Sequence, residues 1–346
     1  MRKNVGFIAM MPFWYPILRV EQLLKKPMHA LSFHGKPLIA YRPNITYSPL
    51  SVVIHSDICP HMGGSFCKGG WVDMEGHLHC PYHGFEYSDG RFINIPSMKK
   101  PMAAGKCILP CYSTMIMNDI LYLHPIEKEK EEMMMKYSPL PYYPPEHNDP
   151  EFTMITGTRI LECPSESLIE NLLDMLHISF VHSFGNTRVP LPRRLHYEDL
   201  PDGGGKTTFE YEPNDFTIST RVGGTKVVRV ENEFHLPSTT LTRVIAGKTI
   251  KTVFTQSVPL SGNRTMLFWT VYRNFWKDPN TDVFNGPGDW LLRRLMEKTL
   301  DEDASILSRT YPEARNGFLT RYDITIKKYR EKRAECIKKN KNLLNS

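Results

Sequence analysis

Two short segments, Cys59-Pro60-His61 and Cys80-Pro81-Tyr82-His83, limit what this chain can become more than anything else in it; eighteen residues separate them. Each supplies one Cys and one His. Gly63 and Gly64 follow the first segment and Gly84 follows the second. Two Cys–His pairs wrapped in turn residues point to metal, with zinc and iron–sulfur as the candidates. Zinc Cys₂His₂ sites usually group their two Cys together and their two His together. One Cys and one His from each loop instead suits a [2Fe–2S] cluster with two Cys on one iron and two His on the other. The glycines let the backbone turn closely around the sulfides, and Pro60 and Pro81 restrict the ligand loops. His77 and His79 flank Cys80 without repeating the Cys59/His61 spacing, and they read as strand residues. Of the seven cysteines, Cys67, Cys107, Cys111, Cys163 and Cys336 are expected to be structural thiols. Cys67 is close enough in sequence for a disulfide beneath the cluster to be tested.

A cluster alone only moves electrons. Residues 170–182 add chemistry of another kind, because Asp174, His177 and His182 stand in an otherwise apolar stretch where titratable groups are costly unless paired or metal-bound. On a helix Asp174 and His177 lie about 60° apart, but His177 and His182 lie about 140° apart and cannot aim at one ion. A helix over Ser165–Val181, with Ser165 as a candidate N-cap, is therefore expected to bulge or break within Ile178–Val181. Two His with one carboxylate form the facial triad of mononuclear Fe(II) oxygenases. The acid must come from elsewhere, and Asp301-Glu302-Asp303 is the obvious source. Taking Leu292 as the origin, Leu295, Met296, Thr299, Leu300, Ile306 and Leu307 fall within about 80° of it. Asp303 falls at about 20°, Glu302 on the flank and Asp301 on the opposite side. A carboxylate centred on an apolar stripe needs a partner, either a metal or a buried Arg. Asn171, Phe180 and Phe184 are candidate pocket residues, with a core role as the alternative.

Composition matters mainly through where the charge lies. Lys+Arg 43 against Asp+Glu 37 gives a net charge of +6, and residues 327–346 alone account for all of it. The neutral body argues against nucleic-acid binding. The basic C-terminal helix is either a solvated face or a docking surface for an acidic ferredoxin. An odd number of cysteines without a regular framework argues against a disulfide-stapled secreted domain. No apolar run is long enough for a membrane span. Pro12 and Pro16 interrupt the N-terminal apolar run, which reads as a first strand and not a signal peptide, so a cytoplasmic, soluble protein is expected. Strand-like segments are Phe13–Tyr15, Ala30–Phe33, Leu38–Arg42, Leu50–Ile54 and Leu121–Leu123, with a hairpin turn at His34–Pro37. A charge run from Glu127 to Glu132 and four prolines from Pro139 to Pro145 then mark a linker or surface crossover. A strand over Met154–Leu161, further strands from about Thr207 to Asn274, and helices over Pro287–Arg309 and Ile324–Lys341 complete the chain. The boundaries are 10–125, 126–150 and 151–346.

The pattern Cys59-Pro60-His61 … Cys80-Pro81-Tyr82-His83-Gly84-Phe85 … Gly90 … Ile95-Pro96 resembles the Rieske loops of the Rieske non-haem iron oxygenases. Phe85 stands where that family usually has Trp. Asp174-x-x-His177-x₄-His182 is similar to the family's iron-binding helix, and Glu302-Asp303 followed by Ile306 to its late acidic ligand. Glu170–Asp174 is particularly similar to the pheophorbide a oxygenase and chlorophyllide a oxygenase branch. The chain carries neither the C-terminal membrane segment nor the C-x-x-C pair of that branch.

The resemblance implies an α+β protein. An N-terminal all-β Rieske [2Fe–2S] domain would be ligated by Cys59, His61, Cys80 and His83. A C-terminal helix-grip (START-like) catalytic domain would follow, with an antiparallel sheet and mononuclear iron helices ligating Fe(II) through His177, His182 and Asp303. It implies a homotrimer in which Asp174 bridges His177 of its own chain to His61 or His83 of the partner subunit. The implied activity is that of a mono- or dioxygenase using O₂ on a small cyclic, aromatic or tetrapyrrole-like substrate. Electrons would come from a reductase or ferredoxin, and from NAD(P)H only indirectly. A Rieske electron-transfer protein with a non-catalytic binding domain is the alternative.

Overall fold

Three two-residue turns organise the N-terminal strands. His34-Gly35, Asp89-Gly90 and Asn118-Asp119 have positive φ at both positions, the backbone of a type I′ turn, whose twist matches that of paired strands. In the computed structural model, residues 11–43, 50–97, 109–127, 138–182, 191–212, 223–277, 285–315 and 317–345 are described. They form two compact units, Met1–Pro141 and Tyr142–Ser346.

The first unit contains β1 (Tyr15–Arg19), α1 (Val20–Leu23), β2 (Met28–Phe33), β3 (Lys36–Tyr41) and β4 (Val53–Ser56). The short strands β5 (Trp71–Val72), β6 (Leu78–His79), β7 (Glu86–Ser88) and β8 (Arg91–Asn94) follow, then β9 (Cys111–Met117) and β10 (Ile120–Glu127). A six-stranded antiparallel sheet has the order β1-β10-β9-β4-β3-β2, and β5 to β8 form a four-stranded sheet in sequence order. The first strand starts at Tyr15 and not at Phe13. Strand β1 lies at a sheet edge with a register shift between Pro16 and Leu18, where proline's missing N–H is tolerated. The expected Leu50–Ile54 strand is shifted to Val53–Ser56, in register with Leu38–Tyr41. His79 lies in β6, whereas His77 precedes it.

His55 is completely buried among Tyr41 and Phe66, with Nδ1 at 3.0 Å from the Ser56 carbonyl. Burial pushes its pKa down to about 4. Above pH 6.5 the imidazole is neutral in both folded and unfolded chains. As pH falls from 6.5 towards 4 the unfolded chain takes up a proton that the folded one refuses, and stability is lost. In chemical denaturation across this window, wild-type protein is expected to lose up to about 3 kcal/mol more than His55→Leu. Equal slopes would refute this.

The second unit is built on a seven-stranded antiparallel sheet. Its strands are β11 (Thr153–Leu161), β12 (Arg193–Asp199), β13 (Gly205–Tyr211), β14 (Val228–His235), β15 (Thr239–Ala246), β16 (Thr249–Ser261) and β17 (Arg264–Arg273), in the order β11-β17-β16-β15-β14-β13-β12. Its helices are α2 (Ser165–Leu173), α3 (Ile178–Val181), α4 (Asn285–Leu307) and α5 (Ile324–Asn345). Leu168 of α2 and Leu292, Met296, Leu300 and Leu307 of α4 pack on Ile155, Leu267, Trp269 and Val271 of the sheet. A Cβ at Gly157 would lie 2.1 Å from Trp269, so only glycine lets these strands carry that indole. Tyr142, Tyr143 and Phe152 pack against Leu241, Phe254 and Tyr272, and the Arg243 guanidinium donates to Glu146, Glu231 and Glu233. The charge run beyond Glu127 lies outside the described residues.

Two expectations are corrected here. The helix does not run from Ser165 to Val181; it stops at Leu173, with Pro164 and not Ser165 at the N-cap, and resumes at Ile178. Asp174 is extended (φ −71°, ψ 129°), and its Oδ1 accepts the Leu176 N–H at 2.7 Å, a local bond that competes with the helix. Nor is the basic C-terminal helix only a solvated face. Ile326 and Tyr329 are buried against Ile169, Leu173 and Phe234. Arg330 makes a two-pronged pair with Glu170 at 2.8 and 2.7 Å, Arg333 pairs with Glu166 and Lys332 with Asp199. Among the described residues, no helix is long and apolar enough to cross a membrane.

Candidate cluster and mononuclear metal sites

The two Cys–His segments of the first unit fold as near copies of each other. Gly63 donates its N–H to the Cys59 carbonyl and Gly84 to the Cys80 carbonyl, both at 2.9 Å. Both glycines have positive φ, +75° and +70°, so each loop closes through a residue without a Cβ. Cys59 and Cys80 are buried, whereas His61 and His83 are exposed with ring centroids 4.7 Å apart. Phe85 stacks on His61 at 4.3 Å and Tyr82 on His83 at 4.0 Å, so Phe85 supplies the aromatic cover expected at that position.

The Tyr87 hydroxyl lies 3.2 Å from the Cys59 sulfur, and the backbone N–H groups of Tyr82 and His83 point at the Cys80 sulfur. A Cβ at Gly64 would lie 3.0 Å from the Cys80 sulfur, so the cradle has room only for glycine there. Burial pushes the Cys80 thiol up, the state of a sulfur that a bound metal would deprotonate. No three of the four donors lie within 4.8 Å of one another. One tetrahedral zinc would hold all four within about 4 Å. Two separated pairs fit a two-iron cluster. Cys67 is a free thiol whose backbone N–H donates to Asp57, and Cys163 and Cys336 are also free; Cys107 lies outside the described residues.

In the second unit, the helix break at Asp174 turns His177 and His182 towards α4. Their Nε2 atoms each lie 3.6 Å from Asp303 Oδ1, and the three donor atoms all fall within 4.8 Å of one another. A separation of 3.6 Å is too long for a hydrogen bond. It is the spacing left around an ion with bonds of about 2.1 Å. Asp303 is 1% exposed and His182 is 6% exposed. Burial pushes the Asp303 carboxyl up and both imidazoles down, so burial disfavours charge on every member of the trio. The partner of Asp303 is not an arginine: Asn171 Nδ2 donates to its Oδ1 at 2.8 Å.

The far nitrogens of the two imidazoles are also held. His177 Nδ1 donates to the Asp174 carbonyl and His182 Nδ1 to Glu302 Oε2, each at 3.1 Å. These bonds place the proton on Nδ1 and leave the Nε2 lone pairs aimed at Asp303, the arrangement found around metal-ligating histidines. The sequence put Glu302 on the flank beside Asp303 but did not indicate that it would orient His182. Phe180 is 77% exposed and does not line the cavity; Phe184 lies outside the described residues. The trio borders a cavity of about 280 Å³ whose walls include Leu172, Leu176, Phe209, Val253, Met296 and Leu300.

With this geometry in hand, the chain can be set beside known proteins. The Rieske [2Fe-2S] domain family matches residues 13–113. The vanillate O-demethylase oxygenase C-terminal domain family matches residues 161–338, just over half of the chain. Protochlorophyllide-dependent translocon component 52 of Arabidopsis thaliana is 23% identical over 303 residues, covering 76% of this chain and 53% of that protein. Pheophorbide a oxygenase of Arabidopsis thaliana is 28% identical over 180 residues, 49% of this chain and 32% of that protein. The chain thus spans about half, or less, of the length of these relatives. The structure of NdmA from Pseudomonas putida CBB5 with caffeine superposes with a TM-score of 0.75 at 18% identity, covering 96% of this chain and 92% of that one. That likeness speaks for the fold. With both domain families matched in order along one chain, this protein belongs to the Rieske oxygenase catalytic-component family.

Proposed function

We propose that this chain is the terminal oxygenase component of a Rieske-type system. The observation that carries this reading is the trio of His177, His182 and Asp303, the last two buried, around one position at the wall of an apolar cavity. Cys59 and Cys80 would hold one iron of a [2Fe–2S] cluster and His61 and His83 the other, while the trio would hold a mononuclear Fe(II). When bound, these groups supply electrons and activate O₂ for the oxidation of an organic substrate.

The chain's own residues do the rest. Tyr87 and the amides of the Cys80 loop direct hydrogen-bond donors at the ligating sulfurs. Glu302 and the Asp174 carbonyl fix the tautomer and aim of the two imidazoles. The apolar walls exclude water and hold a small cyclic body against the trio. The reading includes a reductase or ferredoxin as electron donor and a homotrimer in which Asp174 links His177 to His61 or His83 of the partner subunit.

Iron stoichiometry tests this. Protein purified with iron is expected to be red-brown and to hold three irons per chain, two in the cluster and one at the trio. Two irons per chain would instead indicate an electron carrier with a non-catalytic second domain, and a colourless zinc protein would sink both.

A further inference from the structure

The cavity beside the trio is mostly apolar, and among the described residues its sheet wall carries one cation, Lys251 of β16. Lys251 stands between Val244 of β15 and Arg273 of β17 in the ladder, so the three share one face of the sheet. Its basic neighbour is already committed. Arg273 is 1% exposed and donates to the carbonyls of Phe275 and Trp276 and to Asp289 at 2.6 Å. Lys251 has no such engagement: among the described residues no carboxylate pairs with its ammonium. The two acids lining the cavity are occupied, Asp303 by the trio and Asn171, and Asp174 by the Leu176 N–H.

Lys251 is half-buried in the cavity wall, and burial lowers its pKa. Lys251 and the trio line the same cavity. Asn232 gives a second, independent observation on the same wall. It is 3% exposed, its Nδ2 donates to the Leu173 carbonyl at 3.4 Å, and among the described residues its Oδ1 has no hydrogen-bond partner. Thr242 lies directly across the ladder from Asn232 and lines the cavity with it.

We propose that Lys251 is the specificity-determining counter-ion for substrate, selecting a cyclic acid whose carboxylate it binds. The ring body fills the apolar part of the cavity, and Asn232 Oδ1 accepts a hydrogen bond from a hydroxyl or N–H on that body. A cavity of about 280 Å³ suits one or two rings. The inference rests on the oxygenase reading for the role of the bound acid, but the binding itself does not need the iron.

The test is calorimetry on the iron-loaded full chain with benzoate and its neutral isostere benzamide. The proteins are wild type, Lys251→Met, which keeps the stem and loses the charge, and Lys251→Arg, which keeps the charge. Wild type and Lys251→Arg are expected to prefer benzoate by about tenfold or more, and Lys251→Met to show no preference. Three results would each overturn the proposal. One is that wild type binds benzoate no more tightly than benzamide; another is that it binds neither. The third is a preference that survives in Lys251→Met, which would put the anion on the iron. Iron content on the same preparations separates the two readings. Three irons without a charge preference refute the role of Lys251 alone, and two irons refute the oxygenase reading while the calorimetry still decides Lys251.

Discussion

Replacing Asp303 with Ala is expected to take one iron of the three from each chain and to abolish turnover, with the cluster's visible spectrum unchanged. Losing an outer partner of a metal ligand typically costs about 10–100-fold, so losing the carboxylate itself should cost at least about 100-fold in activity. Asp303 Oδ1 is the one oxygen that both Nε2 atoms face, and without it two neutral imidazoles remain to hold a dication. The substitution also separates chemistry from folding. Asp303 sits in a helix that packs through Leu292, Met296, Leu300 and Leu307, where alanine is at home. A desolvated carboxylate is removed, so the metal-free protein should be at least as resistant to denaturant as wild type. Iron and turnover that persist in Asp303→Ala would refute the ligand assignment. Loss of the cluster as well would point to a general collapse instead.

How far such residues could be read in advance depended on whether their signal was local. Asp303 was legible because a helix converts sequence spacing into direction, and the angle that centred it on the apolar stripe is the angle that buries it. The two Cys–His loops were legible for a similar reason: loops that fold alike carry alike spacing, and Gly63 and Gly84 close them with the same bond. The helix break was half legible. The angle between His177 and His182 placed an interruption within Ile178–Val181, but that stretch is helical and the break lies before it, at Asp174, which bonds its own chain two residues on.

Residues brought in by the sheet were not legible. Lys251 reaches the cavity wall through strand register, and Asn232 meets Leu173 across 59 residues of sequence. The C-terminal helix shows the same limit. Charge counting found its bases, but the acids that engage Arg330 and Arg333 lie 160 and 167 residues away on α2. What read as a solvated or docking face is a helix of the second unit with part of its charge spent internally.

The second large effect is expected at Asp174, where two substitutions should behave differently. Asp174→Asn keeps an oxygen to accept the Leu176 N–H and leaves the carbonyl that orients His177, so the turn and both metals should persist. It removes the negative charge and one acceptor oxygen, the parts a bridge to a charged imidazole on the partner subunit needs. After reduced protein is mixed with O₂ and substrate, reoxidation of the cluster is then expected to slow by about 100-fold or more, while the mononuclear iron still reacts once. The size follows from a bridge worth roughly 3 kcal/mol, within the range for truncating a buried hydrogen-bonded charge pair. Asp174→Ala loses the acceptor as well. The helix end then loses a local bond worth about 1 kcal/mol, His177 loses its fixed aim, and mononuclear iron should fall along with electron transfer. Cluster reoxidation at the wild-type rate in Asp174→Asn would remove Asp174 from the electron path. Iron loss in both variants alike would make it a positioning residue for His177 and nothing more.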